Sequence, residues 1–257
     1  MNENTLAFAA LSGRMEELGL GCMAAGLATF LGAPGRADTP VFESIRELID
    51  LEYVARNERM ARTRLKLSGM PQSKRLDEFD LSWLKGGMPA ARFEELKSLT
   101  FVERKENILL LGPSGVGKTH ILLGLGQRAC LNGYSAYYIT CRDVIERLMR
   151  AREQNRFRKT LAWYRKPHVL LIDEVGHEPL TPEQAHVFFQ LVNVRYETGS
   201  IVLTSNRTFS KWAELMSDEA VATAMLDRLL HHAQVFSLKA DSYRMKERLR
   251  AGAVGFD

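Results

Sequence analysis

Residues 112–119 read Gly112-Pro113-Ser114-Gly115-Val116-Gly117-Lys118-Thr119 and follow directly on the apolar run Ile108-Leu109-Leu110-Leu111. The pattern GxxxxGK[ST] arises by chance on the order of once per hundred chains of this length, so its context decides. Here an apolar strand leads in, and a helix-compatible run from Ile121 to Leu131 leads out and stops at Asn132-Gly133. Strand, glycine loop and helix start make a polyphosphate cradle. Glycines let backbone N–H groups turn inward, and the helix N-terminus adds partial positive charge. In such a cradle the Lys118 ammonium reaches the β and γ phosphates, and the Thr119 hydroxyl holds Mg²⁺.

A bound metal needs a second oxygen anchor. The run His168-Val169-Leu170-Leu171-Ile172-Asp173-Glu174 supplies it, because four consecutive apolar residues suit a strand buried on both faces and the two carboxylates fall at its carboxyl end. Asp173 is expected in the Mg²⁺ shell, and Glu174 is expected to orient and deprotonate the attacking water. The next apolar run ends in Thr204-Ser205-Asn206, which places the Asn206 side chain between loop and acidic pair, where it can position that water.

Five apolar runs, Ile108 to Leu111, Ala136 to Thr140, Val169 to Ile172, Ile201 to Thr204 and a weaker Gln234 to Ser237, alternate with longer helical stretches. That alternation predicts an α/β fold with right-handed crossovers and a parallel sheet covered on both faces. With 257 residues there is room for one large domain and a small appendage. The breaker-rich Ser68-Gly69-Met70-Pro71-Gln72-Ser73 is the best boundary, giving a helical domain at 1–70 and a nucleotide-binding domain at 71–257. Within the first, Thr39-Pro40 is a good helix start, and the pattern runs unbroken to Ser68, a helix about 40 Å long.

Hydrophobic residues at 46% and charged residues at 26% exclude wholesale disorder and low-complexity architectures. Three cysteines, Cys22, Cys130 and Cys141, form no CxxC pair, which argues against a secreted disulfide framework and for a cytoplasmic protein. The uncharged stretch Leu18 to Gly35 is interrupted by glycines, among them Gly19, Gly21, Gly26 and Gly32, and follows Glu16-Glu17, so it reads as a packed helix rather than a membrane span. His231-His232 has no cysteine or acidic partner at metal-ligand spacing, and no zinc site is expected.

The net charge is +4, and it is unevenly spread. From Arg142 to Lys166 nine basic residues, among them Arg150, Arg152, Arg156 and Arg158, face three acids, a surplus larger than that of the whole chain. In the long N-terminal helix Arg56, Arg59, Arg62 and Lys66 fall within an arc of about 120°. Each cluster reads either as a solvated helix face or as a surface for nucleic acid, where Arg and Lys contact phosphates without reading sequence, and the N-terminal arc also suits a partner surface.

The segments GPSGVGKTH, VLLIDEVGHEPL, VRYETGSIVLTSNRTFSKW, MLDRLLHHA and DSYRMKERLR, in this order, resemble the IstB family, ATPase helpers of IS21-type transposition related to DnaC helicase loaders. DLEYVARNERMARTRLKLSGMPQSKRLDEFDLSW resembles the same family's helical region and linker. The resemblance implies an AAA+ ATPase with strand order 5-1-4-3-2, using ATP and Mg²⁺. It also implies self-assembly into arcs, rings or helical assemblies, binding of double-stranded DNA, and delivery of that DNA to the transposase of the same element. Carried over, Asn206 matches the polar residue ending the fourth strand. Arg228 matches the arginine inserted into a neighbour's ATP site, and Arg244 a second cation on the nucleotide. His177 stands where the family commonly has tyrosine, and Ala240-Asp241 where a glycine is usual. A replicative helicase loader shares nearly the whole core, and the basic N-terminal helix and LDEFD linker are what resemble the transposition branch.

Overall fold

The computed structural model describes residues 3–32 and 39–240. Five strands, β1 (Asn107–Leu111), β2 (Ala136–Thr140), β3 (Val169–Val175), β4 (Ser200–Ser205) and β5 (Ala233–Ser237), pair in parallel in the order β2-β3-β4-β1-β5. Read from the other edge this is 5-1-4-3-2, the expected AAA+ order. Every apolar run found in the sequence became a strand, lengthened by at most three residues. Parallel strands need crossover helices, and these cover both faces, which is why β1, β3 and β4 are apolar throughout their middles.

The period of two sorts each strand between two cores. Leu170, Ile172, Ile201 and Leu203 pack on one face with Val144 and Leu148 of α7 (Cys141–Glu153), Phe188 and Leu191 of α9 (Pro182–Arg195), and Met225 and Leu229 of α11 (Glu219–Leu230). Val169, Leu171, Ile108, Leu110 and Val202 pack on the other with Phe93 and Leu96 of α4 (Ala90–Lys97), and with Ile121, Leu122 and Leu125 of α6 (Lys118–Leu131). Two short helices, α5 (Thr100–Glu103) and α10 (Trp212–Met216), fill the ends, and α8 (Phe157–Tyr164) follows α7. The start of α9 is fixed by a capping box, Thr181 accepting from Gln184 N and Gln184 answering on Thr181 N, with Pro182 in the first turn.

One buried cation holds the end of α8. Arg195, 1% exposed, donates to the carbonyls of Tyr164, Arg165, Pro167, His168 and Ser200, and burial pulls its guanidinium down to about 10. A Cβ on Gly199 would come within 2.6 Å of that guanidinium, so only glycine fits beside it.

The chain divides into two compact units, residues 1–63 and 64–257. The first holds α1 (Glu3–Glu17), α2 (Gly21–Leu31) and most of α3 (Val41–Leu67) around Leu27, Phe30 and Leu48. Buried Glu52 of α3 accepts from Cys22 N at 2.8 Å and Met23 N at 3.2 Å, satisfying the orphan donors that begin α2. The division falls inside α3, before the Ser68–Ser73 breaker. The last turn of α3 is tied into the second unit by Arg64 donating to Cys130 O and by Tyr138 N donating to Ser68 O at 2.7 Å. The breaker ends the helix, but packing changes hands a turn earlier. Among the described residues, no helix is long and apolar enough to cross a membrane.

Candidate nucleotide-binding site

The site sits at the carboxyl edge of the sheet, where β1, β3 and β4 release the chain. Gly112 (φ 145°), Gly115 (φ 85°) and Gly117 (φ 96°) curl the loop after β1 and hand it to α6. At two of them space as well as torsion demands glycine: a Cβ on Gly112 would lie 2.4 Å from Leu238 O, and one on Gly117 would lie 2.5 Å from the Phe79 ring. The Lys118 ammonium lies across the loop, donating to Gly112 O and Pro113 O, both at 2.7 Å.

The strand β3 departs from its register with β4 between Ile172 and Val175, and Glu174 adopts a left-handed φ of 62°. This irregularity lets adjacent carboxylates serve different surroundings. Asp173 is 3% exposed and accepts from Thr119 Oγ1 at 3.1 Å, from Thr204 Oγ1 and from Tyr138 Oη at 3.3 Å, while Glu174 is exposed to the pocket. The Glu174 N–H is held by Thr204 Oγ1 at 2.9 Å, which fixes the direction of the bulge. Burial, reinforced by the Asp173 charge, pushes the Tyr138 phenol well above its usual range, so it stays a hydrogen-bond donor. The Thr119 hydroxyl and Asp173 carboxylate are the hard oxygen donors that Mg²⁺ takes, and they face each other.

The loop, Glu174 and Thr204 line a pocket of about 560 Å³, and Asp173 joins it through its hydrogen bond with Thr119. Ser114 to Thr119 form its floor, Glu174, His177, Thr204 and Asn206 one wall, and the linker residues Lys74, Phe79 and Trp83 the other. Phe79 reaches the loop because the linker folds into two short 3₁₀ turns, Leu76–Glu78 and Leu81–Trp83, and packs its ring on His120 and Phe93. Pocket size and the mix of aromatic and polar walls suit a nucleotide. Thus the structure gathers Gly112 to Thr119, Asp173, Glu174 and Asn206 into one place. Tyr138, Thr204 and the linker wall were not singled out from sequence. A tyrosine within a strand reads as core, and only the LDEFD resemblance drew attention to the linker.

Arg228 lies elsewhere. On α11 its Nε donates to Asn193 Oδ1 at 2.8 Å and its guanidinium lies 4.9 Å over the Phe189 ring, outside the residues lining the pocket. Arg244 lies outside the described residues. The basic clusters are exposed. Within them Arg152 pairs with Glu183 at 3.3 Å, Arg59 with Glu52 at 2.7 Å and Arg62 with Glu58 at 3.5 Å, whereas Arg150, Arg156 and Arg158 make no ion pair among the described residues.

The profile of the IstB-like ATP binding proteins matches residues 13–251. The ATP-binding protein of insertion sequence IS5376 from Geobacillus stearothermophilus is 44% identical over 206 residues, covering 80% of this chain and 82% of that one. The ATP-binding protein of insertion sequence IS21 from Pseudomonas aeruginosa is 42% identical over 203 residues, covering 79% and 76%. Among solved structures, DnaI (TM-score 0.54, 19% identity, 65% of this chain and 91% of that one) and the DnaC helicase loader (TM-score 0.52, 19% identity, 64% and 96%) share the fold.

Proposed function

The chain belongs to the family of IstB-like ATP binding proteins and is an ATPase, and on that premise we propose that it assembles on double-stranded DNA and delivers that DNA to the transposase of the same insertion sequence. The observation that carries the reading is the pocket lined by the glycine loop and the exposed Glu174, with the buried Asp173 hydrogen-bonded to Thr119 of that loop. In hydrolysis the loop N–H groups and Lys118 bind the phosphates and hold the γ-phosphorus in line for attack. Glu174 takes the proton of the attacking water as its oxygen bonds to that phosphorus, and the bond to the bridging oxygen breaks to leave ADP and phosphate. Asn206 holds the water. Thr119 and Asp173 are the residues that would hold Mg²⁺, which when bound neutralises phosphate charge. Tyr138 and Thr204 keep Asp173 turned towards that position.

Arg228 supplies the reason for assembly. Bound to Asn193 and outside its own chain's pocket, it serves the pocket of a neighbouring copy, so turnover requires an arc, ring or helical assembly. Arg244 adds a second cation. Repetition along the assembly then lines up the arginines of α7 and α8, and the Arg56–Lys66 arc of α3, against the DNA backbone, each contact weak and the sum strong. Sizing complexes of the chain with duplex DNA in ATP and in ADP tests this. Large DNA-bound species in ATP that fall apart in ADP are expected, and identical species in both nucleotides contradict the reading.

A further inference from the structure

At the amino edge of the sheet, away from the nucleotide pocket, the turn joining α9 to β4 meets the turn joining α11 to β5. The first carries Glu197, placed by a left-handed φ of 56°, and the second carries His231 and His232. One ligand atom from each of the three lies within 4.8 Å of the others. Sequence spacing gave the histidine pair no acidic partner; the fold brings one from beyond β4. The backbones are anchored: His231 N donates to Asp227 O at 3.0 Å, and His232 O accepts from Asn107 N at 2.7 Å. The Tyr196 hydroxyl lies 2.9 Å from His231 Nδ1, which orients that ring and leaves its other nitrogen for a metal.

We propose that Glu197, His231 and His232 form a zinc-binding site that ties the carboxyl end of α9 to the carboxyl end of α11. Two imidazole nitrogens and one carboxylate oxygen are a ligand set that Zn²⁺ accepts in tetrahedral coordination, with water as the fourth ligand. Hard cations such as Mg²⁺ disfavour the imidazole pair. All three side chains are exposed, so water reaches the fourth position and little desolvation opposes binding. The site also faces two helix C-termini, whose partial negative charge favours a cation. The ion would stiffen the base of the helix that carries Arg228, one turn before His231.

The test uses the untagged 257-residue chain and Zn²⁺ itself, titrated in competition with a chromophoric chelator. The wild type is expected to take up one equivalent more than Glu197→Gln or His232→Asn, and Zn²⁺ to raise the melting temperature of the wild type but not of those two variants. Tyr196→Phe is expected to keep that equivalent with affinity about tenfold weaker. Since the substituted residues are exposed, unchanged circular dichroism and ATP binding confirm that each variant is folded. Equal uptake by the wild type, Glu197→Gln and His232→Asn overturns the site, as does wild-type binding too weak to compete with the chelator. Unaltered affinity in Tyr196→Phe overturns the orienting role of its hydroxyl.

Discussion

In the nucleotide pocket the charged groups are held in place: Asp173 is 3% exposed and takes hydrogen bonds from Thr119, Thr204 and Tyr138, and Lys118 is bonded to two loop carbonyls. On α7, α8 and the turn between them, Arg150, Arg156 and Arg158 stand exposed without ion pairs among the described residues. The first arrangement places charge to fractions of an ångström, as phosphoryl transfer requires. The second suits the proposed sequence-blind contact with DNA, which needs long side chains able to meet phosphates wherever a duplex presents them. Substitutions in the pocket should therefore act sharply and one residue at a time, and those on the basic face weakly and additively.

The largest effect falls on Lys118→Ala, which should abolish nucleotide binding and turnover together; ATP binding like the wild type's, measured by calorimetry, breaks the assignment of the loop. Arg228→Ala should leave the nucleotide affinity of the isolated protomer unchanged while lowering hydrolysis by about 10³–10⁵-fold. Mixing it with Lys118→Ala subunits should restore activity, because one variant keeps the finger and the other the pocket. No recovery in mixtures that co-assemble would rule out action between neighbours. Glu174→Gln should cost about 10²–10⁴-fold in turnover with Mg²⁺-ATP binding intact, trapping assemblies on DNA.

Smaller effects belong to the surface and to the groups behind Asp173. Arg150, Arg156 and Arg158 replaced together by alanine should lower affinity alike for unrelated duplexes and flatten the salt dependence by up to about three units of slope, ATP binding being preserved. An unchanged slope would leave α3 as the DNA-contacting face. Arg152 is the useful contrast, since its pairing with Glu183 at 3.3 Å predicts a weaker effect on its own. Tyr138→Phe removes one hydrogen bond to Asp173 and should raise the Mg²⁺ concentration for half-maximal turnover about fivefold, with the ATP-binding loop untouched. A change in maximal rate alone would place Tyr138 in the fold rather than behind the metal.

How far the sequence was legible follows the same division. The strands, the glycine loop and the Asp173-Glu174 pair could be read because backbone geometry and double-sided burial restrict which residues can stand there. The strand order and Arg228 came only through resemblance, since an arginine on a helix reads as a solvated charge whether or not a neighbour uses it. Tyr138 was hidden because an aromatic strand residue needs no explanation beyond packing. Arg195 was hidden for the converse reason: a charged residue in the last turn of a helix is ordinarily solvated, and only the fold collects five carbonyls around it. Glu197 and His231-His232 meet through turns that no local pattern links.

That nucleotide in the pocket governs the basic surface is tested most directly by measuring duplex affinity against salt concentration for the wild-type chain in ATP and in ADP. Assembly in ATP should multiply the phosphate contacts, giving tighter binding at every salt concentration and a slope several units steeper than in ADP. The same affinity and the same slope in both nucleotides would contradict the account, leaving a nucleotide site and a basic surface that do not communicate.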